Sequence, residues 1–183
     1  MKTVILLRHA KSDWSDADQR DFDRPLNGRG ERAATLMGRW AKREALAVDL
    51  VIASPAARVA DTLDRFQESF GAMPEPLWDK RVYLASSATL ADVIAEADDS
   101  QASLLLIGHN PGLEEFILAM VPDDGLSMLR DDVAEKFPTA SMAVLDFDVD
   151  HWDALARGKT GAGRIRRFIR PRDLDKSLGP IER

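Results

Sequence analysis

The sequence predicts an α/β protein, a three-layer α/β/α sandwich around a mostly parallel central sheet. Two patterns carry this. Residues 3–7, 50–53 and 104–107 are continuously apolar, as strands covered on both faces are. Each run leads into a polar loop and then a stretch with helical apolar spacing, and alternating strands and helices build one layered unit. At 183 residues the chain is long enough for one domain with a real core and short for two, so 1–183 reads as a single domain.

The elements follow in order. After the strand at 3–7, residues 30–46 place Leu36, Met37, Trp40 and Ala41 on one helical face. The strand at 50–53 is followed by Ser54-Pro55, read as a helix start with serine as N-cap and proline in the first turn. That helix, 56–70, carries Val59, Leu63, Phe66 and Phe70. Shorter helices are predicted over 90–97 and 113–120, the second started after Pro111-Gly112. Residues 122–138 read as a loop with a short helix over one end of the sheet. Strands follow at 142–147 and 163–169, separated by a glycine-rich turn at 158–163, and residues 171–183 read as a loosely held tail.

Composition narrows the function. With 45% hydrophobic and 31% charged residues the chain is globular rather than disordered. A net charge of −6 argues against nucleic acid as a partner, which asks for a broad basic face, and leaves room for a small anion site. The absence of cysteine removes disulfides and thiolate metal sites. The opening MKTVILLRHA is too short an apolar run for a secretory signal, and no run approaches the roughly 20 residues of a membrane span. A soluble, cytoplasmic protein with no membrane contact is the expectation.

Ligands of open α/β sheets sit at the carboxyl ends of the strands. Here those ends read Arg8-His9, then SPAAR with Arg58, then GHNPG with His109. Parallel strands bring all three to one edge, so two arginines and two histidines converge. Taken singly, each block has a plain explanation: a solvated loop, a capped helix, a turn. Their joint placement is what argues for a site.

RHAKSDW, RPLNGRG, SPAAR and GHNPG in this order resemble the histidine phosphatase superfamily, which includes phosphoglycerate mutases and acid phosphatases. The likeness is to its small SixA-type branch of phosphohistidine phosphatases, and it spans about residues 3–170. It implies a phosphoglycerate mutase-like fold and catalysis without metal or other cofactor. By the resemblance, His9 is the nucleophile that becomes phosphorylated, Arg8 and Arg58 hold the phosphate, His109 lies beside it, and Arg24 of RPLNGRG adds a cation. Lys11 and Ser12 follow His9 closely enough to reach a substrate.

The chemistry is consistent. Guanidinium forks bind phosphoryl oxygens, and an imidazole nucleophile divides hydrolysis into two displacements. Nearby arginines favour a neutral His9, whereas His109 needs a bound phosphate or a carboxylate to stay charged. A metal site built on His9, His109 and nearby aspartates is the alternative, but no close ligand spacing supports it. His151 reads as a surface residue beside Trp152. Trp40 belongs to the core, and Trp14 and Trp78 to core or cleft rim. Asp13, Asp16, Asp18, Asp21 and Asp23 form a solvated loop that could spare one residue to orient Arg24.

Two features depart from the superfamily pattern. Ala10 stands where glycine is usual, so its backbone must avoid positive φ. No glutamate occurs in DKRVYLASSATL, where many relatives supply a proton donor, and Asp13, Asp23 or Asp79 is left to fill the gap. Alkoxide leaving groups gain about 10²–10⁴-fold from such an acid, and the imidazole of phosphohistidine needs it less. The expected substrate is therefore phosphohistidine in a protein. A small phosphoester or phosphoanhydride is the second reading and a non-catalytic phosphate-binding adaptor the third. The short chain argues against a mutase, and the oligomeric state is left open.

Overall fold

The residue run that opens the chain becomes the middle of its sheet. In the computed structural model, which describes residues 1–156 and 163–180, β1 (Lys2–Arg8) lies between β4 (Ser103–Gly108) and β5 (Met142–Phe147). Outside β4 come β2 (Leu50–Ala53) and the two-residue edge β3 (Leu77–Trp78), and outside β5 comes β6 (Gly163–Ile169), giving the order β3-β2-β4-β1-β5-β6. Strands β1, β2, β3 and β4 are mutually parallel, and β5 runs antiparallel to both β1 and β6.

The continuous apolar runs exist because both sheet faces are covered. Val4, Leu6, Ile52, Leu104 and Leu106 point to one side, against α3 (Ser87–Ala95) and α4 (Gly112–Met120). Ile5, Leu7, Val51, Leu105 and Ile107 point to the other, against α1 (Gly28–Arg43) and α2 (Ala57–Phe70). Side chains alternate across a strand, so a strand buried on both faces has no place for a polar residue until it ends. β1 and β2 end where their partners end: Arg8 is in register with Gly108, and Ala53 with Ile107.

Several boundaries differ from the sequence reading. Helix α1 starts at Gly28, because the Asn27 side chain accepts a hydrogen bond from the Gly30 amide at 2.8 Å and caps it. The expected serine cap of α2 is not formed. That helix begins at Ala57 with Ala56 as N-cap and no side-chain cap bond, and Ser54 lies upstream, its hydroxyl accepting from the Ala56 amide at 3.3 Å and lying 2.8 Å from His109 Nε2. The short helix expected in 122–138 is α5 (Met128–Glu135), capped by Ser127. The brief strand β3 was not foreseen.

The expected loose tail is also corrected through residue 180. Beyond β6, α6 (Pro171–Leu174) is fixed by Asp173, whose carboxylate accepts from the Arg170 amide at 2.9 Å. Leu174 and Leu178 pack on the α1 side of the core, and the Arg29 guanidinium donates to the Gly179 carbonyl. Apolar residues spaced four apart gave this segment a reason to dock. The last three residues, and the glycine-rich turn except Gly163, lie outside the described residues. Among the described residues no helix is long and apolar enough to cross a membrane.

Helices α1 and α2 meet at Gly38, where an added Cβ would fall 2.3 Å from the Phe66 carbonyl oxygen and 2.2 Å from Ser69 Oγ. Gly38→Ala should therefore force the pair apart and cost about 1–3 kcal/mol. Thermal unfolding followed by circular dichroism should show a midpoint lower by roughly 3–10 °C.

Candidate active site

Four short segments are tied together where β1, β2 and β4 stop. The His9 amide donates to the Gly108 carbonyl at 3.1 Å and the Ser54 amide to the Ile107 carbonyl at 3.1 Å. The Ala10 amide donates to Thr62 Oγ1 at 2.9 Å, and that hydroxyl donates to the Arg58 carbonyl at 2.6 Å, which links the loop after β1 to α2. From the β5 side, the Ala140 amide bonds the carbonyls of Arg8 and His9 at 3.1 and 3.0 Å. Ala140 does so at φ 60, a left-handed conformation costing a non-glycine residue about 1 kcal/mol or more. Ala10 is not among the positive-φ residues, as expected of an alanine there.

His9 is buried, and its Nδ1 lies 2.8 Å from the Ala10 carbonyl oxygen. A carbonyl only accepts, so Nδ1 carries the proton and Nε2 keeps a lone pair. Burial, then the charges of Arg58, Arg8 and Arg24, outweigh the Ala10 hydrogen bond and push the His9 pKa down to about 4. The imidazole is neutral at pH 7.

His109 faces it, with the ring centroids 5.2 Å apart. Its Nδ1 lies 3.3 Å from Arg58 Nη2 and its Nε2 2.8 Å from Ser54 Oγ. A guanidinium only donates, so Nδ1 accepts and the proton sits on Nε2, directed at Ser54. Burial first, then His9 and Arg58, lower the His109 pKa to about 3, and the Asp21 carboxylate only partly opposes them. With these partners His109 is neutral, and a carboxylate alone does not charge it.

Three arginines surround the pair. Arg8 Nη1 donates to the Phe137 carbonyl at 2.9 Å, and Arg58 Nη1 to the Asp21 carbonyl at 2.7 Å. Arg24 Nε donates to Ser12 Oγ at 3.2 Å, and its guanidinium lies 3.5 Å from the centre of the Trp14 ring. The Nε atoms of Arg8 and Arg58 are buried without a hydrogen-bond partner. Unmet buried donors are costly.

The residue the sequence reading left in a crowd is Asp21. Its Oδ1 accepts from Arg24 Nη2 at 2.5 Å, and its Oδ2 accepts from Arg58 Nη2 at 3.0 Å and from the Tyr83 hydroxyl at 2.5 Å. The Tyr83 hydrogen bond, then Arg58 and Arg24, outweigh burial and hold the Asp21 pKa at about 2. Tyr83 itself stands edge-on to His109. The available signal for Asp21 was its spacing three residues before Arg24, on one face of a helical turn. Nothing in the sequence marked Tyr83, and the helix-cap reading concealed Ser54.

Arg8, His9, Ser12, Arg24, Arg58 and His109 are thus brought together. Lys11 is not: its side chain is exposed and lines a neighbouring groove with Asn27 and Arg29. The three aspartates considered as proton donors are engaged elsewhere. Asp13 accepts from the Ser15 amide, Asp23 pairs with Arg20 at 2.6 Å, and Asp79 pairs with Arg81 at 2.7 Å. Trp14, 71% exposed, is rim rather than core. His151 sits on the surface, 2.8 Å from Asp99. Among the described residues, no three His, Asp or Glu side chains cluster as a metal site.

The comparisons with known proteins agree with this geometry. The sequence pattern of the histidine phosphatase superfamily (branch 1) matches residues 4–80. An uncharacterized protein of Mycobacterium tuberculosis (strain H37Rv) is 34% identical over 153 residues, covering 83% of this chain and 93% of that protein. The chain belongs to the histidine phosphatase superfamily. A crystal structure from Agrobacterium tumefaciens, solved as a candidate phosphohistidine phosphatase SixA, is 32% identical with a TM-score of 0.77, covering 93% of this chain and 98% of that one. The protein histidine phosphatase SixA complexed with tungstate shares the fold at 20% identity and a TM-score of 0.74, covering 94% and 99%. The architecture is that of the phosphoglycerate mutase-like histidine phosphatases, of SixA type, and family and fold support a phosphatase.

Both histidines have pKa values below the 6.5 of an unfolded chain. As pH falls from about 6.5 towards 4, the unfolded chain binds protons that the native state refuses. Stability should therefore drop, by up to about 1.4 kcal/mol per pH unit for each histidine. Nitrogen NMR should show His9 as the Nδ1–H tautomer and His109 as Nε2–H, neither titrating between pH 5.5 and 8.

Proposed function

We propose that this protein is a metal-independent phosphatase that works through phosphorylation of His9 and acts on phosphohistidine in a protein. One observation supports the reading above others: His9 is a neutral imidazole with its Nε2 lone pair free, in the middle of Arg8, Arg24 and Arg58.

In the first step His9 Nε2 attacks phosphorus, the bond from phosphorus to the leaving nitrogen breaks, and a phosphorus–Nε2 bond forms. The His9 ring then carries positive charge, and the Ala10 carbonyl stabilises it through the Nδ1 proton. The guanidiniums neutralise the transferring oxygens in the role a metal cation plays elsewhere. His109 lies on the other side of the group, and the charge of the phosphoryl group favours its protonation. In the second step water attacks the phosphorus, the phosphorus–Nε2 bond breaks, and His9 departs with its lone pair restored while both hydrogens of the water leave on the inorganic phosphate.

The proton inventory supports a nitrogen leaving group. Asp21 is the carboxylate bonded to Arg24 and Arg58, and a group with a pKa of about 2 holds no proton to give at pH 7, while Glu114 acts on Arg8 through its charge. Tyr83 commits its proton to Asp21. A phosphohistidine protonated on its other ring nitrogen leaves as neutral imidazole without help, whereas an alkoxide forfeits a general-acid factor of about 10²–10⁴.

His9→Ala should abolish turnover of p-nitrophenyl phosphate and of a phosphohistidine peptide, with the circular dichroism spectrum unchanged. Rapid acid-free quenching of the wild type should trap label on His9. The phosphohistidine peptide should exceed sugar phosphates in kcat/KM by about 100-fold or more, and a preference for esters would overturn the substrate assignment. Asp21→Asn leaves Arg24 and Arg58 without their shared anchor, worth charged hydrogen bonds of about 1.5–3 kcal/mol, so kcat/KM should fall about 10–100-fold.

A further inference from the structure

Beside the His9 site lies a groove of about 580 Å³ whose wall holds Lys11, Arg29, Lys136, Arg170 and Arg172 and, among the described residues, no carboxylate. This concentration stands out in a chain of net charge −6. The cations come from the loop after β1, from α1, from the end of α5 and from the start of α6, so the fold has gathered them from distant parts of the sequence. Two are already held: Arg170 pairs with Asp173 at 3.0 Å, and Arg29 donates to the Gly179 carbonyl. Asp132 and Glu135 act on Arg170 from outside the wall. Among the described residues, no carboxylate lies within ion-pair distance of Lys11, Lys136 or Arg172. Asp173 acts on Arg172 as well, yet like charges held together with so few counter-charges repel one another, and an anionic guest relieves that.

The groove shares its walls with the catalytic cluster. Lys11 is two residues from His9. Thr139 lies between Phe137, whose carbonyl holds Arg8, and Ala140, whose amide binds the Arg8 and His9 carbonyls. Yet none of Arg8, His9, Arg24, Arg58 or His109 lines it. A guest that fills both places must reach past Lys11 and Thr139, as an extended protein surface can.

We propose that this groove binds acidic side chains on the surface of the phosphorylated protein, beside its phosphohistidine. The proposal rests on the protein-phosphohistidine reading and names the partner's surface: aspartates or glutamates flanking the modified residue. A net-acidic chain repels such a partner on average and attracts it at a basic patch, so the groove also orients the encounter.

The test uses the full chain and the double variant Lys136→Glu/Arg172→Glu, which leaves the His9 cluster untouched. The wild type should favour a phosphohistidine peptide with glutamate flanks over one with alanine flanks by about tenfold in kcat/KM, carried by KM and weakened by salt. The variant should lose that preference and keep its rate on p-nitrophenyl phosphate. Calorimetric titration with an unphosphorylated glutamate-rich peptide reads the groove without catalysis: it should bind the wild type and fail on the variant. Binding there with no phosphohistidine turnover would sink the substrate assignment and leave the groove's preference for acidic protein surfaces standing. Equal turnover of both peptides by the wild type would overturn the proposal. So would tripolyphosphate binding that depends on Lys136 and Arg172 when the glutamate peptide does not bind.

Discussion

The parallel pairing of β1 with β4, and of β4 with β2, is the constraint on which the site depends. These strands are apolar along their length because helices cover both faces, and they stop in register at one edge. Polar side chains can enter only where the pairing ends, so Arg8, His9, Ser54 and His109 are delivered to the same place. A slip of one residue in β1 would exchange its two faces and carry His9 away from the edge. Core packing and site assembly are here the same requirement.

Gathering cations there has an electrostatic consequence. Two imidazoles and three guanidiniums in a partly buried site repel one another, and the structure relieves this in two ways. Both histidines give up their protons, with pKa values of about 4 and about 3. Asp21 supplies one negative charge and divides it between Arg24 and Arg58, with Tyr83 completing the carboxylate's hydrogen bonds. Burial first, and then the same charges that would hold a phosphoryl group, keep His9 neutral.

Much of this was legible in the sequence because the pattern that encodes it is local. Continuous hydrophobicity marked β1, β2 and β4, and residue type at their ends marked Arg8, His9, Arg58 and His109. Strand β5 was readable from its apolar residues, and β6 from its place after the glycine-rich turn. What was not legible depends on contacts between segments distant in sequence. Ser54 satisfies a local rule for helix capping, but its hydroxyl partner is 55 residues away. Asp21 stood among five similar aspartates until the fold placed it against Arg58, 37 residues on. The tail after Pro171 carried only Leu174 and Leu178 as signals, and their docking site on α1 cannot be seen from the tail alone. Lys11 was assigned by nearness in sequence to His9, and the chain turns between them.

The place of the missing glutamate is where these strands of argument meet. The segment that could have offered a proton donor instead offers Tyr83, whose hydroxyl is bound to Asp21 and whose ring edge abuts His109. Burial and Asp21 raise the pKa of that phenol, so it holds its proton and steadies the carboxylate that steadies the arginines. A segment expected to supply an acid here supplies a phenol that helps hold the arginine cluster. That exchange lowers what the site can do for a poor leaving group and leaves its grip on the transferring group intact. On the proposed reading, a substrate whose leaving nitrogen brings its own proton suits such a site, and the basic groove beside it would hold the surroundings of that nitrogen.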